Sequence, residues 1–272
     1  MRRCLIIYDG IDFIIFKKRE KRMGTIYDNT EIYDIGFDEK KWQIVKEHWK
    51  KIFDGTKVNT ILDCSIGTGN ITLQLSELGY QLTGSDLSAN MLKKCEEKAR
   101  ERNINVQLFQ SDFREIAENT EKMYDCVMST GNSLPYVEND EVIKTLHIMD
   151  SLVSVGGYIY LDTRNWDKII KEHQRFYFYP PIYRNDYRID EIQFWDYMQD
   201  GSIIFHIVYS FEKEQKIVQR EIFEEKYFPI RKELILDELK QMGYRIIKNV
   251  NFPIQCSLPP EEFDWYCILA QK

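Results

Sequence analysis

Asp63-Cys64-Ser65-Ile66-Gly67-Thr68-Gly69-Asn70 follows the apolar run Thr60-Ile61-Leu62 and precedes the apolar-periodic segment Ile71 to Leu78. A short apolar run that stops at paired glycines reads as a buried strand, and the periodic segment after it reads as a helix. Gly67 and Gly69 permit a tight turn and let the backbone approach a ligand without an intervening Cβ. The first turn of the following helix offers N–H groups that lack intrahelical partners. Strand, glycine turn and helix together mark the carboxyl end of a first strand, where a nucleotide-type sheet holds its ligand.

The same alternation continues outward. Tyr80 to Ser85 reads as a strand and Ala89 to Arg102 as a helix. Val106-Gln107-Leu108-Phe109 and Tyr124 to Ser129 are further strands. Asp140 to Leu152 reads as a helix ended by Gly156-Gly157, which lead into the strand Tyr158 to Asp162. Alternating strands and helices predict an α/β fold with a mostly parallel sheet covered on both faces. Upstream, a helix from Asp38 to Phe53 carries Trp42, Val45, Trp49 and Ile52 on one side. After Trp166 the pattern changes. From Phe176 to Phe228, strand-like runs such as Ile203 to Phe211 and Ile217 to Phe228 follow one another without helices between them, and Asp200-Gly201, ahead of Ile203, is a hairpin turn signal. Sixteen of the 37 aromatic residues fall from Trp166 to Phe228, which predicts an antiparallel β insertion lying over the sheet. A helix from Lys232 to Met242 and strands near Tyr244 to Val250 and Asp264 to Ala270 close the chain. The expected division is an N-terminal extension over 1–22, a helical cap over 23–57, a ligand-binding core over 58–165, the insertion as a substrate lid over 166–230, and completion of the core over 231–272.

A net charge of −7 and a pI near 5.3 argue against a nucleic-acid substrate, which needs a basic face. The six cysteines, Cys4, Cys64, Cys95, Cys126, Cys256 and Cys267, form no CxxC pair and cluster with no histidine, so no zinc site is expected. Cys64 and Cys126 sit in apolar runs and read as buried reduced thiols. No signal peptide or membrane span is expected, because the apolar stretch Cys4 to Phe16 is short and broken by Asp9 and Asp12. A cytoplasmic location with no membrane partner is the resulting expectation. Residues 1–22 carry seven Lys/Arg against three Asp/Glu. They read either as an upstream extension, with Met23 the functional start, or as a small hairpin about Asp9-Gly10.

Asp86 ends the second strand in Gly84-Ser85-Asp86-Leu87-Ser88, where a carboxylate can accept from both hydroxyls of a ribose. A dinucleotide such as NAD is the rival ligand, but its fingerprint needs a third glycine where this chain has Thr72. Asp63 would repel a pyrophosphate and attract the ammonium and sulfonium of S-adenosylmethionine (SAM). Asp112-Phe113, after the third strand, supplies a carboxylate for an adenine amine and a ring for its face.

These pieces together resemble the class I SAM-dependent methyltransferases over about residues 58–165 and the closing segments. The resemblance implies a Rossmann-like sheet of seven mostly parallel strands with the antiparallel insertion after the fifth. It implies that Gly67 and Gly69 line the methionine moiety of SAM and that Leu87 and Met91 pack near adenosine. Thr130-Gly131-Asn132-Ser133-Leu134-Pro135 and Asp162-Thr163-Arg164-Asn165-Trp166-Asp167 resemble two segments of the glycine and sarcosine N-methyltransferases. There an arginine binds the substrate carboxylate with help from an asparagine, which makes Arg164 and Asn132 the substrate-positioning candidates. Tyr27 and Tyr33 resemble tyrosines that close over the methyl donor. The cofactor set implied is Tyr27, Tyr33, Asp63, Ser65, Gly67, Gly69, Asp86, Leu87, Met91, Asp112, Phe113 and Ser129. The family pattern is departed from at Thr163, where a histidine is usual, and at Pro135-Tyr136 in place of Ala-His.

The expected activity is N-methylation of glycine, sarcosine or a similar small amino acid. The alternatives are another small N or O acceptor, a SAM-binding protein without catalysis, and an NAD-dependent reductase. Arg164 reads alternatively as half of a salt bridge to Asp162 or Asp167, Asn132 as a turn-stabilising amide, and Tyr27 and Tyr33 as packing. His147 reads as structural, and none of the four histidines falls in a motif. Tyr177, Tyr179, Tyr183 and Tyr197 are candidates for a cage about a methylated ammonium.

Overall fold

The computed structural model describes residues 24–254, 259 and 262–272. The expected extension or hairpin over 1–22, with Met23, Cys4 and Cys256, lies outside the described residues. The order is a 3₁₀ turn Ile26–Asp28, α1 (Thr30–Tyr33), α2 (Glu39–Phe53), β1 (Thr60–Asp63), α3 (Leu73–Glu77), β2 (Gln81–Asp86), α4 (Ala89–Glu101), β3 (Gln107–Gln110), β4 (Tyr124–Ser129), α5 (Asn139–Ser151) and β5 (Val153–Arg164). There follow α6 (Trp166–Glu172), β6 (Phe176–Phe178), β7 (Ile182–Arg184), β8 (Tyr187–Tyr197), β9 (Ile203–Lys213), β10 (Lys216–Tyr227), α7 (Lys232–Gln241), β11 (Arg245–Asn251) and β12 (Trp265–Gln271).

The main sheet has seven strands in the order β11-β12-β5-β4-β1-β2-β3. β1 to β5 pair in parallel, and β12 runs antiparallel to both β5 and β11. The chain leaves β1 toward β3 on one side and resumes at β4 on the other. That reversal opens a crevice at the carboxyl ends of β1 and β4. Strand alternation divides the core in two. Leu62, Val127, Ile159 and Leu161 face one layer, with α5 and the insertion. Ile61, Cys126, Met128 and Tyr160 face the other, with α2 and α4. Asp38 caps α2 by accepting from the Lys41 amide, and Trp42, Val45, Trp49 and Ile52 are buried as expected. Cys64, Cys95, Cys126 and Cys267 are free and buried.

The insertion is a second, antiparallel sheet in the order β10-β9-β8-β6, with β7 on β8. Gly201, at φ +82°, sits in the expected β8–β9 hairpin. The β9–β10 hairpin turns on Glu214 and Gln215, both at positive φ without a glycine. Two expectations are corrected. Gly156 and Gly157 do not end a helix ahead of a strand at Tyr158; they lie inside β5, where its pairing with β4 shifts register. Gly156 takes φ +73°, and a Cβ on Gly157 would stand 2.8 Å from the Ser154 carbonyl, so the pair makes a bulge. The segment after Trp166 also holds a helix, α6, capped by Asn165 and anchored by buried Trp166 and Ile169. Among the described residues no helix is long and apolar enough to cross a membrane.

Candidate cofactor and acceptor site

The glycine turn is tied to the end of β2. Ile66 N–H donates to the Ser85 carbonyl at 2.9 Å. Gly67 N–H donates to Asp86 Oδ2 at 2.9 Å, and Ser88 N–H to Oδ1 at 2.9 Å. Burial pushes the Asp86 carboxyl up, against the two N–H donors that favour its charge. The two glycines differ. Gly67 has φ +56°, and a Cβ there would meet nothing closer than 3.9 Å, so its face is open to a ligand. Gly69 has φ +78°, and a Cβ there would strike Leu73 at 2.5 Å and the Cys95 sulfur at 2.8 Å. Gly69 is a packing glycine behind the turn and is not on the cavity wall.

A cavity of about 550 Å³ opens beside this turn. Asp86, Leu87, Asp112 and Phe113 are on its wall, as are Tyr27 and Ser65. A small recess joins it under Tyr27 and Tyr33, over Gly67. Leu87 is 66% exposed, a large apolar side chain left for a ligand to cover. Met91 is fully buried under Gly67 and off the wall. Asp112 accepts from the Arg114 amide and guanidinium at 2.5–3.1 Å, which holds its carboxyl below the usual range.

Asp63 and Ser129 stand behind the wall. Asp63 is fully buried. Its Oδ1 accepts from Ser65 N–H at 3.1 Å and its Oδ2 from the Thr72 and Thr130 hydroxyls at 3.0 and 2.8 Å. Burial pushes its carboxyl up to about 6. Thr72, at the place of a third dinucleotide glycine, is thus a hydroxyl donor to Asp63. Ser65 Oγ donates to the Thr130 carbonyl, accepts from Thr130 N–H and lies 3.1 Å from Ser129 Oγ, joining the ends of β1 and β4.

The N-terminal segment closes the site from above. Thr68 and Asn70 donate to Asp34 Oδ1 at 2.7 and 2.8 Å, and Lys98 pairs with Asp34 Oδ2 at 3.0 Å. Lys94 pairs with Glu31 at 2.7 Å. Tyr27 donates to the Tyr136 hydroxyl at 2.6 Å, which lies 2.6 Å from that of Tyr227. Asp34, Lys98, Tyr136, Tyr227 and the buried Glu225 escape sequence reading. Only the Tyr136 departure from the family pattern pointed toward any of them.

Arg164, at the end of β5, places its guanidinium 5.3–5.8 Å from the ring centres of Trp265, Phe205 and Trp195. Nη2 donates to the Tyr179 hydroxyl at 3.0 Å. The salt-bridge alternative does not hold. Asp162 accepts from Gly131 N–H and Trp265 Nε1, and Asp167 accepts from Lys232 N–H. No acidic group among the described residues lies within 4.0 Å of the guanidinium. Asn132, at φ +61°, accepts through Oδ1 from the Thr163 hydroxyl, Arg164 N–H and Trp166 Nε1, so this oxygen fixes the backbone of Arg164. Arg164 is not on the cavity wall. Tyr227, with its ring 4.7 Å from Phe205, links the arginine cage to Tyr136 on that wall.

The tyrosine cage is not assembled. Tyr177 and Tyr179 lie beside Arg164, but Tyr183 is 74% exposed and Tyr197 donates to the Gln174 carbonyl and stacks on His173. No histidine lines the cavity among the described residues. His48 is buried, contacts the Tyr160 hydroxyl at 3.0 Å and is pushed down to about 3 by burial. His147 faces Glu238 on α7, a structural contact.

Open space over Gly67, a carboxylate at the tip of β2 and an apolar wall at Leu87 and Phe113 suit an adenosine ligand with a cationic tail. A methyltransferase domain model matches residues 61–157. A glycine/sarcosine N-methyltransferase of Aphanothece halophytica is 25% identical over 268 residues, covering 93% of this chain and 94% of that protein. The crystal structure of a SAM-dependent methyltransferase from Clostridium acetobutylicum superposes with a TM-score of 0.70 at 19% identity, over 90% of this chain and 96% of that one. A SAM-bound amino pentose methyltransferase of Micromonospora echinaspora gives 0.68 at 12% identity, over 93% and 99%. At those identities the two structures speak for the fold.

Proposed function

This chain is a class I SAM-dependent methyltransferase, and we propose that it methylates the amino nitrogen of a small amino acid such as glycine or sarcosine. The observation that carries this reading is the Arg164 guanidinium, enclosed by aromatic rings with one tyrosine hydroxyl and, among the described residues, no acidic partner within 4.0 Å. A largely desolvated cation in that state is completed by an anion, and a planar guanidinium pairs with a carboxylate in two parallel hydrogen bonds.

SAM supplies a methyl group already activated on a sulfonium. The chain's own residues bind, align and exclude water. Asp86 accepts from ribose hydroxyls while holding Gly67 N–H and Ser88 N–H. Leu87 and Phe113 cover adenine, and Asp112 takes its amine. Asp63 and Ser129 act through Ser65 and Thr130, keeping the wall in shape. Gly67 gives the methionine portion room, and Tyr27 and Tyr33 close over it. Arg164 holds the acceptor carboxylate on a backbone fixed by Asn132. The relative from Aphanothece halophytica, a glycine/sarcosine N-methyltransferase, supports the acceptor class.

The test is release of S-adenosylhomocysteine (SAH) with glycine, sarcosine and dimethylglycine offered singly to wild type and Arg164→Ala. Turnover of one acceptor that collapses in Arg164→Ala, chiefly through a raised KM, supports the reading. SAM binding with no turnover of any of the three sinks the amino-acid assignment.

A further inference from the structure

The main lining residue without a role so far is Glu225, on β10 of the insertion. It is 5% exposed and lies on the wall of the 550 Å³ cavity. Its Oε1 accepts from the Thr25 hydroxyl at 2.5 Å and from Ile26 N–H at 2.9 Å. The Tyr136 hydroxyl is a further hydrogen-bonding neighbour of this carboxyl group. Beside the carboxyl are three hydroxyls in series, Tyr27 to Tyr136 to Tyr227, each step 2.6 Å.

Register sets Glu225 against Arg164. Trp195 on β8 pairs with Phe205 on β9, and Phe205 pairs with Glu225 on β10. Directly paired residues share one face of a sheet, so Trp195, Phe205 and Glu225 form a row facing the main sheet. The guanidinium lies over the first two members, 5.8 and 5.5 Å from their ring centres. Glu225 is one strand further on. Tyr227 stands between the two charges, and its hydroxyl feels both the carboxylate of Glu225 and the guanidinium of Arg164. A cation, a run of neutral hydroxyls and an anion in this order match a zwitterion laid carboxylate to Arg164 and ammonium toward the tyrosines.

We propose that the hydroxyls of Tyr27, Tyr136 and Tyr227 receive the ammonium of the acceptor and that Glu225 is the group to which its proton passes. This rests on the amino-acid reading above. The ammonium gives one proton, through Tyr136, to Glu225. The freed nitrogen lone pair forms the new N–C bond as the C–S bond breaks, its electron pair remaining on sulfur. The product is a methylated ammonium, and Glu225 returns the proton to solvent. Facing Glu225 are Asp28 and Tyr27 from the N-terminal segment, Tyr136 from the loop after β4 and Tyr227 from its own strand; its partner on β9 is apolar. Burial, with Asp28 adding in the same direction, raises the carboxyl above the usual range, while Thr25, Ile26 N–H and Tyr136 oppose. A raised acid is the better proton acceptor near neutrality.

The experiment compares wild type with Glu225→Gln, whose amide oxygen can still accept from Thr25 and Ile26. SAH affinity by calorimetry should agree within about twofold. With glycine or sarcosine, kcat/KM should fall by about a hundredfold or more, and the acidic limb of its pH profile should disappear. A variant with wild-type rate and an unchanged limb overturns the proposal. Binding is read separately on SAH-loaded protein carrying ¹³C-labelled tyrosines, with methylammonium as the probe for this site and acetate as the probe for Arg164. Saturable methylammonium binding that weakens about tenfold or more in Glu225→Gln upholds the ammonium site, the loss expected for a charged hydrogen bond. No binding to wild type, or equal binding to both, overturns it. Should no amino acid turn over while methylammonium still discriminates the two proteins, the acceptor reading has failed and the ammonium site has not.

Discussion

Gly67 N–H donates to Asp86 Oδ2 over 2.9 Å, so the turn after β1 and the acid at the tip of β2 are one unit. Asp86 therefore shapes the glycine turn as well as meeting the cofactor. In Asp86→Asn, one of the two backbone donors must face an amide N–H₂ in place of a carboxylate oxygen. A hydrogen bond to a charged group contributes about 1.5–3 kcal/mol. SAH affinity measured by calorimetry should fall by about tenfold to a hundredfold, and Tm by a few degrees. A variant that binds SAH like wild type removes Asp86 from the site.

Gly67→Ala and Gly69→Ala should separate stability from binding. Both glycines need a left-handed backbone, a cost of about 1–2 kcal/mol for alanine. Gly69→Ala also drives a Cβ to 2.5 Å from Leu73 and 2.8 Å from Cys95, and overpacking adds about 1–3 kcal/mol. Denaturant unfolding should show Gly69→Ala the less stable by about 2 kcal/mol. Gly67→Ala should keep most of its stability and lose most of its SAH affinity, since its methyl occupies the open face. Equal stability losses would contradict the division of labour between the two glycines.

What the sequence displays and what it hides follow from this pair. The turn was legible because its strand, glycines, helix and acid are adjacent in the chain. Which glycine faces the ligand was not, because that depends on Leu73 and Cys95 arriving from α3 and α4. Glu225 sits in Glu224-Glu225-Lys226, inside the strand-like run Ile217 to Phe228, where nothing in the sequence marks which of these charges faces inward; its register opposite Phe205 turns it inward. Arg164 was reached by resemblance, yet its three aromatic neighbours come from β8, β9 and β12. Helix α6 escaped because about two turns with two buried residues carry no periodic signal.

Two buried acids make stability pH-dependent. Burial raises Asp63 to about 6 and Asp162 to about 7, from an ordinary value of 3.8. A carboxyl whose folded value is raised favours folding while both states are protonated, below about pH 4. That contribution is lost as pH climbs through 6 and 7. Asp162 Oδ1 already takes Gly131 N–H and Trp265 Nε1, and Oδ2 is buried without a partner. Asp162→Asn keeps the acceptor and removes the charge. Relative to wild type it should gain on the order of 2 kcal/mol at pH 8 and little at pH 4, in unfolding curves taken at both values. A constant difference across that range would refute the assignment to Asp162.

Arg164 should be a residue that binding needs and folding does not. Its guanidinium is held by one hydroxyl and aromatic rings, with no acidic partner within 4.0 Å among the described residues. Replacing a desolvated cation that has no ionic partner by an apolar side chain of similar length removes its desolvation penalty and leaves no opposite charge unpaired. Arg164→Met should therefore melt at or above the wild-type temperature while its KM for glycine or sarcosine rises by about a hundredfold. Arg164→Lys keeps the charge but not the planar fork that lies against the rings and pairs a carboxylate twice. It should retain SAH affinity and recover only a small part of the lost acceptor binding. A Met variant that melts well below wild type would instead make Arg164 part of the scaffold that packs β5 against the insertion.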